Sequence, residues 1–325
     1  NGAGGGSGIT KTGDGTLILS GTNSYYGTTT VDAGVLKLSG GSAIDDIRDV
    51  VVGIDGTLDL NGSSESINRL TGSGTIDNTA GAGTLVVGSN NSSFQFDGTL
   101  TDAIGTLNLK KTGEGTLTLT AASTYAGGTN IAGVDSTANT VNVQHNNALG
   151  TGQFLFERGG ILELGVDGLN IGNFISMPNW SGGTRTLKLD LDGAKTGEFS
   201  GDMYHQNTTF GTVQFDVGTD DVLTYSGNME AGPNSGAGIK KVGDGTLVLS
   251  GANTYKGKTG VYGGTLSLAT GYTHTDTGTY EIKDGGILKV AAGVDLSSNS
   301  MTIDLGGVIS PGNSPGTAIT GNQTW

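Results

Sequence analysis

Cysteine is absent from all 325 residues, which removes disulfides, thiol nucleophiles and thiolate metal sites together. Charged residues make up 14% and aromatic residues 6%, both low for a globular enzyme. No apolar run approaches the roughly 20 residues of a membrane helix, so this segment is read as not membrane-spanning. No amphipathic i, i+3, i+4 pattern of any length appears, and 62 glycines would penalise long helices heavily. The charge balance is acidic, −14 in all, with 16 basic residues scattered along the chain. Phosphates repel such a surface, which excludes nucleic acid as a partner. No secretory leader opens the sequence, so the chain is expected to be processed or partial. The histidines, His145, His205 and His274, lie at least 60 residues apart, so no shared metal site and no cofactor are expected.

What the chain does have is repetition. Lys11-Thr-Gly13-Asp-Gly15-Thr-Leu17-Ile-Leu19 leads to Tyr25 and Gly27. Lys111-Thr-Gly113-Glu-Gly115-Thr-Leu117-Thr-Leu119 leads to Tyr125 and Gly127, and Lys241-Val-Gly243-Asp-Gly245-Thr-Leu247-Val-Leu249 to Tyr255 and Gly257. One such unit cannot bury its apolar face alone, so the architecture must grow by stacking.

A shorter period runs beneath. The pentapeptide Gly-Thr-Leu-x-Leu, with mild substitutions, places its first anchor at Leu17, Leu36, Leu58, Leu85 and Leu107. After an extra copy at Leu117 the series resumes at Leu162, Leu187, Val213, Leu247, Leu266 and Leu288, with most intervals near 22 residues. Each interval is read as one turn, with Leu58 over Leu36 and Leu85 over Leu58. Flanking positions are apolar and the middle is usually polar, a period of two that marks strands with one face inward. About three short strands and three bends fit in ~22 residues, the size of one β-helix coil. The paired glycines sit where the chain must turn a corner without a Cβ. The tyrosines and the residues around them are read as structural.

The repeated unit resembles the autotransporter-associated β-strand repeat, also called the passenger-associated transport repeat. Ser310-Pro-Gly-Asn-Ser-Pro-Gly316 and His145-Asn-Asn-Ala-Leu-Gly-Thr-Gly152 resemble further elements of such passengers. The resemblance implies a type V secreted passenger: all-β, a right-handed parallel β-helix, exported through the periplasm to the bacterial cell surface or beyond. The repeats lie around 8–38, 108–133 and 238–268. Coils over 1–149 and 238–325 then flank a divergent stretch, 150–237, of wider coils with loop excursions.

That stretch holds six of the eight phenylalanines and three of the four methionines. Within it, Trp180, Tyr204, His205, Arg158 and Arg185 are candidate partner contacts, with 202–207 and 177–183 read as loops. Searches for catalysis come back empty. Gly312-Asn-Ser314-Pro-Gly316 matches the Gly-x-Ser-x-Gly pattern, but Pro315 and a β-pattern follow where a helix is required. Asp45-Asp46 and Asp220-Asp221 lack a nearby histidine and basic residue, and the calcium-binding nonapeptide is missing. Gly2 to Gly8 reads as a flexible lead-in.

The expectation is a non-enzymatic extracellular scaffold for adhesion or self-association. Its partners would be copies of itself on neighbouring cells, or host and matrix glycan or protein. Two alternatives remain open: a polysaccharide-binding or polysaccharide-cleaving groove, and a secreted toxin or host-cell signalling passenger. The groove requires two or three carboxylates with an Arg or Lys on one stacked face.

Overall fold

The computed structural model describes residues 6–132, 139–178, 183–206, 212–232, 236–274 and 278–311, with short backbone strands at 319–320 and 323–324. Trp180, Ser314 and Gly2 to Gly5 fall outside the described residues. Two compact units divide the chain, Asn1–Leu155 and Phe156–Trp325. Both are β-solenoids of parallel strands, and no helix among the described residues is long and apolar enough to cross a membrane.

In the first unit three columns of strands rise side by side. One column passes through Lys11, Val31, Val52, Gly72, Phe96, Leu119 and Val143, each hydrogen-bonded over the last, in steps of 20 to 24 residues. A second passes through Leu17, Leu36, Leu58, Ile76 and Leu100. The third stacks Glu65, Leu85 and Leu109. Thr29–Ser39 and Val50–Asp59 each run across a corner and serve the first two columns at once.

The second unit repeats this plan. Leu162, Leu187, Phe215, Lys241, Val261, Ile282 and Ile303 form one column. Its steps are 25, 28 and 26 residues up to Lys241, then 20, 21 and 21. A neighbouring column stacks Leu223, Leu247, Leu266, Leu288 and Ile309.

Leu36 and Leu58 are stacked, as the period requires. Leu85, however, is not over Leu58: that place belongs to Ile76, and Leu85 lies in the third column between Glu65 and Leu109. Likewise Phe215, not Val213, stands over Leu187, and Leu107 meets Gly83 rather than Leu85. The pentapeptide specifies a strand with two inward anchors but carries no mark of which face it occupies. The longer intervals in the series are therefore changes of column.

The interior is apolar and continuous: Leu36, Leu58, Leu85, Leu117, Leu162, Leu187, Leu247 and Leu266 are essentially inaccessible. Leu17 is 40% exposed and Leu19 half-buried, because among the described residues Thr16–Ser20 pairs on one side only, with Thr29–Ser39. At the corners glycine is obligatory. Gly113 has φ +65°, and a Cβ on it would lie 2.2 Å from the carbonyl oxygen of Gly88 in the coil below.

The lysine that opens each repeat is a further corner element, and it is buried rather than solvated. Lys111 Nζ donates to the carbonyls of Thr112 (2.8 Å), Gly113 (3.2 Å) and Glu114 (3.2 Å) and to Asn139 Oδ1 (3.1 Å). Lys11 meets Thr12, Gly13 and Ala33, and Lys241 meets Val242, Gly243 and Gly263, in the same way. Three tetrahedral donors thus satisfy carbonyls that a tight corner turns inward. Burial lowers the Lys111 and Lys241 ammonium groups to about 8. The repeat tyrosine ties off the next corner, Tyr125 to Thr129 Oγ1 and Tyr255 to Thr259 Oγ1 (2.7 Å).

Candidate partner-binding surfaces

A filled interior leaves contact with other molecules to the outward positions of the strands and to the corners. Arg158 is exposed and Tyr204 is half-buried, so both reach the surface. Arg185 and His205 do not: they are 1% and 3% exposed. Residues 203–205, read from sequence as a loop, form the strand Met203–His205, which stacks on Ile175–Met177 and under Met229–Ala231. The alternation Met203-x-His205 has strand period, but one polar member disguised it. Burial and the charge of Arg185 lower the His205 imidazole to about 4, so it is neutral at ordinary pH.

Three outward surfaces carry chemistry that residue type alone did not reveal. The first is a corner groove of about 210 Å³ in the first unit, lined by Tyr26, Ile47, Arg48, Asp49, Asn68, Arg69 and Asn90. Tyr26 is 71% exposed and Ile47 60%. The Arg48 guanidinium lies 4.9 Å from the Tyr26 ring centroid, which holds the ring as a platform. Burial works against the charge on Asp49, yet hydrogen bonds from Arg69 and Asn68 (2.7 Å) keep its carboxyl below the usual range. An exposed ring beside fixed donors and acceptors is the make-up of a protein or sugar contact.

The second surface is a groove of about 340 Å³ across outward positions of the first unit's third column. Thr84, Asn108, Lys110, Asn130 and Gln153 wall it. Gly127 and Gly128 supply its floor, where a Cβ on Gly127 would lie 2.3 Å from the Leu107 carbonyl oxygen.

The third, in the second unit, is a charged ladder on one stacked face, where Glu163, Lys188 and Asp216 stand in register. Lys188 Nζ lies 3.0 Å from Glu163 and 3.4 Å from Asp190. Burial raises the Asp216 carboxyl, Lys188 opposes that rise, and Asp190 adds to it. This is the arrangement of carboxylates and one cation that the polysaccharide alternative requires.

The two aspartate pairs are structural. Asp221 is fully buried and accepts the N–H groups of Leu191 and Lys195, both at 2.9 Å, while Asp45 pairs with Arg48 at 3.4 Å. His274 lies in a buried cluster with Tyr255, Tyr272 and Tyr280, its Nε2 2.8 Å from the Tyr255 carbonyl. Among the described residues no three His, Asp or Glu side chains are grouped to hold a metal.

Fold and surface define a class: a stacked-coil β-solenoid that closes its interior and offers only outward ladders and corners. The passenger-associated-transport-repeat family matches residues 9–38, 109–133 and 239–268. The chain is also 32% identical over 335 aligned positions to the adhesin BmaC autotransporter of Brucella suis biovar 1 (strain 1330), covering 98% of this chain. It spans 9% of the length of that relative. The chain is an autotransporter passenger with three passenger-associated transport repeats.

Proposed function

We propose that the chain is a cell-surface adhesin segment, exported through the periplasm, that makes many weak contacts with host cells, matrix or like chains. The observation that carries this reading is the likeness to an autotransporter adhesin across 98% of the chain. The structural features fit it: the interior is filled, and ligand-like chemistry is spread over shallow outward grooves. Many shallow contacts on a stacked framework gain strength by multivalency rather than by one deep pocket. The corner groove at Tyr26 is assigned the host or matrix contact, with Arg158 and Tyr204 as separate contact residues.

Beads coated with the purified chain test this. They should bind epithelial cells or immobilised matrix glycoproteins above uncoated beads, and Tyr26→Ala with Arg48→Ala should reduce capture several-fold. Sedimentation velocity on the same material reads self-association. Failure to bind cells, matrix or itself would overturn the adhesin reading.

The ladder of Glu163, Lys188, Asp190 and Asp216 favours a second reading, in which the second unit binds or cleaves an extracellular polysaccharide. Its measurement is release of reducing ends from uronate and neutral glycans, compared with Glu163→Gln and Asp216→Asn. No release, together with no retention on a glycan column, removes that reading.

A further inference from the structure

The interior of the second unit contains a group that neither the fold nor the adhesin reading uses. His205 is 3% exposed, and neither ring nitrogen has a hydrogen-bond partner among the described residues. A buried unsatisfied polar atom costs about 1–3 kcal/mol, so two on one ring call for a ligand or a purpose.

The surroundings are unusual for an imidazole. His205 shares the wall of a small cavity with Met203 and Met229, together with Val213, Ala237, Ile239 and Tyr255. Met203 stands directly under Met229 in the parallel ladder, which places their backbones ~4.8 Å apart. His205 is two positions along the strand from Met203, on the same inward side, ~6.6 Å away. Both methionines are buried, at 2% and 3%. A fourth soft side chain, Met177, is fully buried in register with His205.

The cavity volume is about 10 Å³, room for one small occupant. Water would be poorly held there, since it needs two to four polar partners. Apart from the imidazole the side chains facing it are thioether, hydrocarbon and Tyr255, whose hydroxyl already pairs with Thr259. Glu230 also contributes to the wall, but it is an outward, exposed residue. Two thioethers and an imidazole form a soft donor set, which selects copper(I) over zinc or calcium. Arg185 is close enough for its charge to act on His205, and that repulsion is half as large for a monovalent ion as for a divalent one.

The geometry points to a buried site for a soft monovalent d10 cation, copper(I) or silver(I), held by the thioether sulfurs of Met203 and Met229 and a ring nitrogen of His205. The imidazole remains neutral, and so able to ligate, down to a pH near 4. The site would load the passenger with metal independently of whether it adheres to anything.

Silver nitrate in chloride-free buffer is the probe, added to the whole chain and read by native mass spectrometry and NMR. One ion per chain is expected, with shifts of the Met203 and Met229 methyl groups and of the His205 ring, and no comparable response to zinc. Met203→Leu with Met229→Leu preserves volume and should lose more than about tenfold in silver affinity. Silver should raise the melting temperature of the parent chain and leave that of the double variant unmoved. Met229→Leu alone serves if the pair does not fold. No stoichiometric binding, shifts centred on Met301 or His145, or undiminished affinity in the variants would overturn the assignment, and water alone would then occupy the cavity.

Discussion

The first two copies of the long repeat lie in the same unit, share almost the same residues, and occupy different faces. Lys11 begins the column that rises through Val31, Val52, Gly72 and Phe96 to Leu119. In the second copy it is Leu119 that stands in that column, while Lys111 lies over Val87 in another. The second copy is turned by one face because Lys111 follows Lys11 by 100 residues, whereas five steps of the column, Lys11 to Leu119, take 108. Burial differs as well: Leu17 is 40% exposed against 1% for Leu117, and Tyr25 is half-buried where Tyr125 is sealed. The repeat therefore encodes a corner, complete with lysine, glycines and tyrosine, and any corner can accept it.

Leucine truncation should separate the two copies most. Leu117→Ala, between Phe94 and Val141, should cost about 2–5 kcal/mol in urea unfolding, and Leu17→Ala less than about 1. Equal losses would mean that the first copy is as enclosed as the second.

Removing the corner cation comes next. Lys111→Met leaves three carbonyls and an amide oxygen without their donor and should cost about 1–3 kcal/mol. Lys37→Met, which removes a half-buried cation paired with Asp59, should cost less than about 1 kcal/mol. A neutral result at Lys111 would show that the corner does not need its ammonium.

A pH series sharpens the comparison in the column that Lys111 later extends. Glu65 is buried there, accepts the N–H groups of Ala43 (3.1 Å) and Ile44 (2.8 Å), and is pushed by burial to about 7. Between the ordinary glutamate value and about 7 the folded chain holds a proton that the unfolded chain has released. This contribution is full below the unfolded value and fades as pH rises through 7, so stability from Glu65 falls over that window. Glu65→Gln should flatten the fall, and a Glu65-dependent rise instead would mean that the two N–H groups hold it ionised.

The smallest effect is expected at the tyrosines. Tyr125→Phe loses the bond to Thr129 in a sealed interior and should cost about 1 kcal/mol. Tyr25→Phe, where water can replace Thr29, should cost about half as much or less. Thermal unfolding of both variants reads the difference.

Much of the fold was legible because period-two leucines and corner glycines report strand and bend directly. Leu36 over Leu58 follows from a 22-residue spacing alone. The errors have one source. Leu85 was misplaced, and Arg185 and His205 were read as outward, because a strand's pattern shows alternation without saying which parity or face is inward. The Tyr26 groove escaped notice for a related reason: Tyr26, Arg48 and Arg69 belong to three successive coils and meet only when those coils are stacked. The same holds for Glu163, Lys188 and Asp216, each unremarkable in its own strand.

Local chemistry in the sequence determined that this chain makes short parallel strands, turns at glycines and stacks upon itself, because those outcomes depend on neighbours within a few residues. Register decided the rest. Which column each leucine joined, which cation was buried and which side chains came to share a groove all depended on accumulated coil lengths. A change of a few residues in one coil rotates everything above it, and no single segment contains that sum.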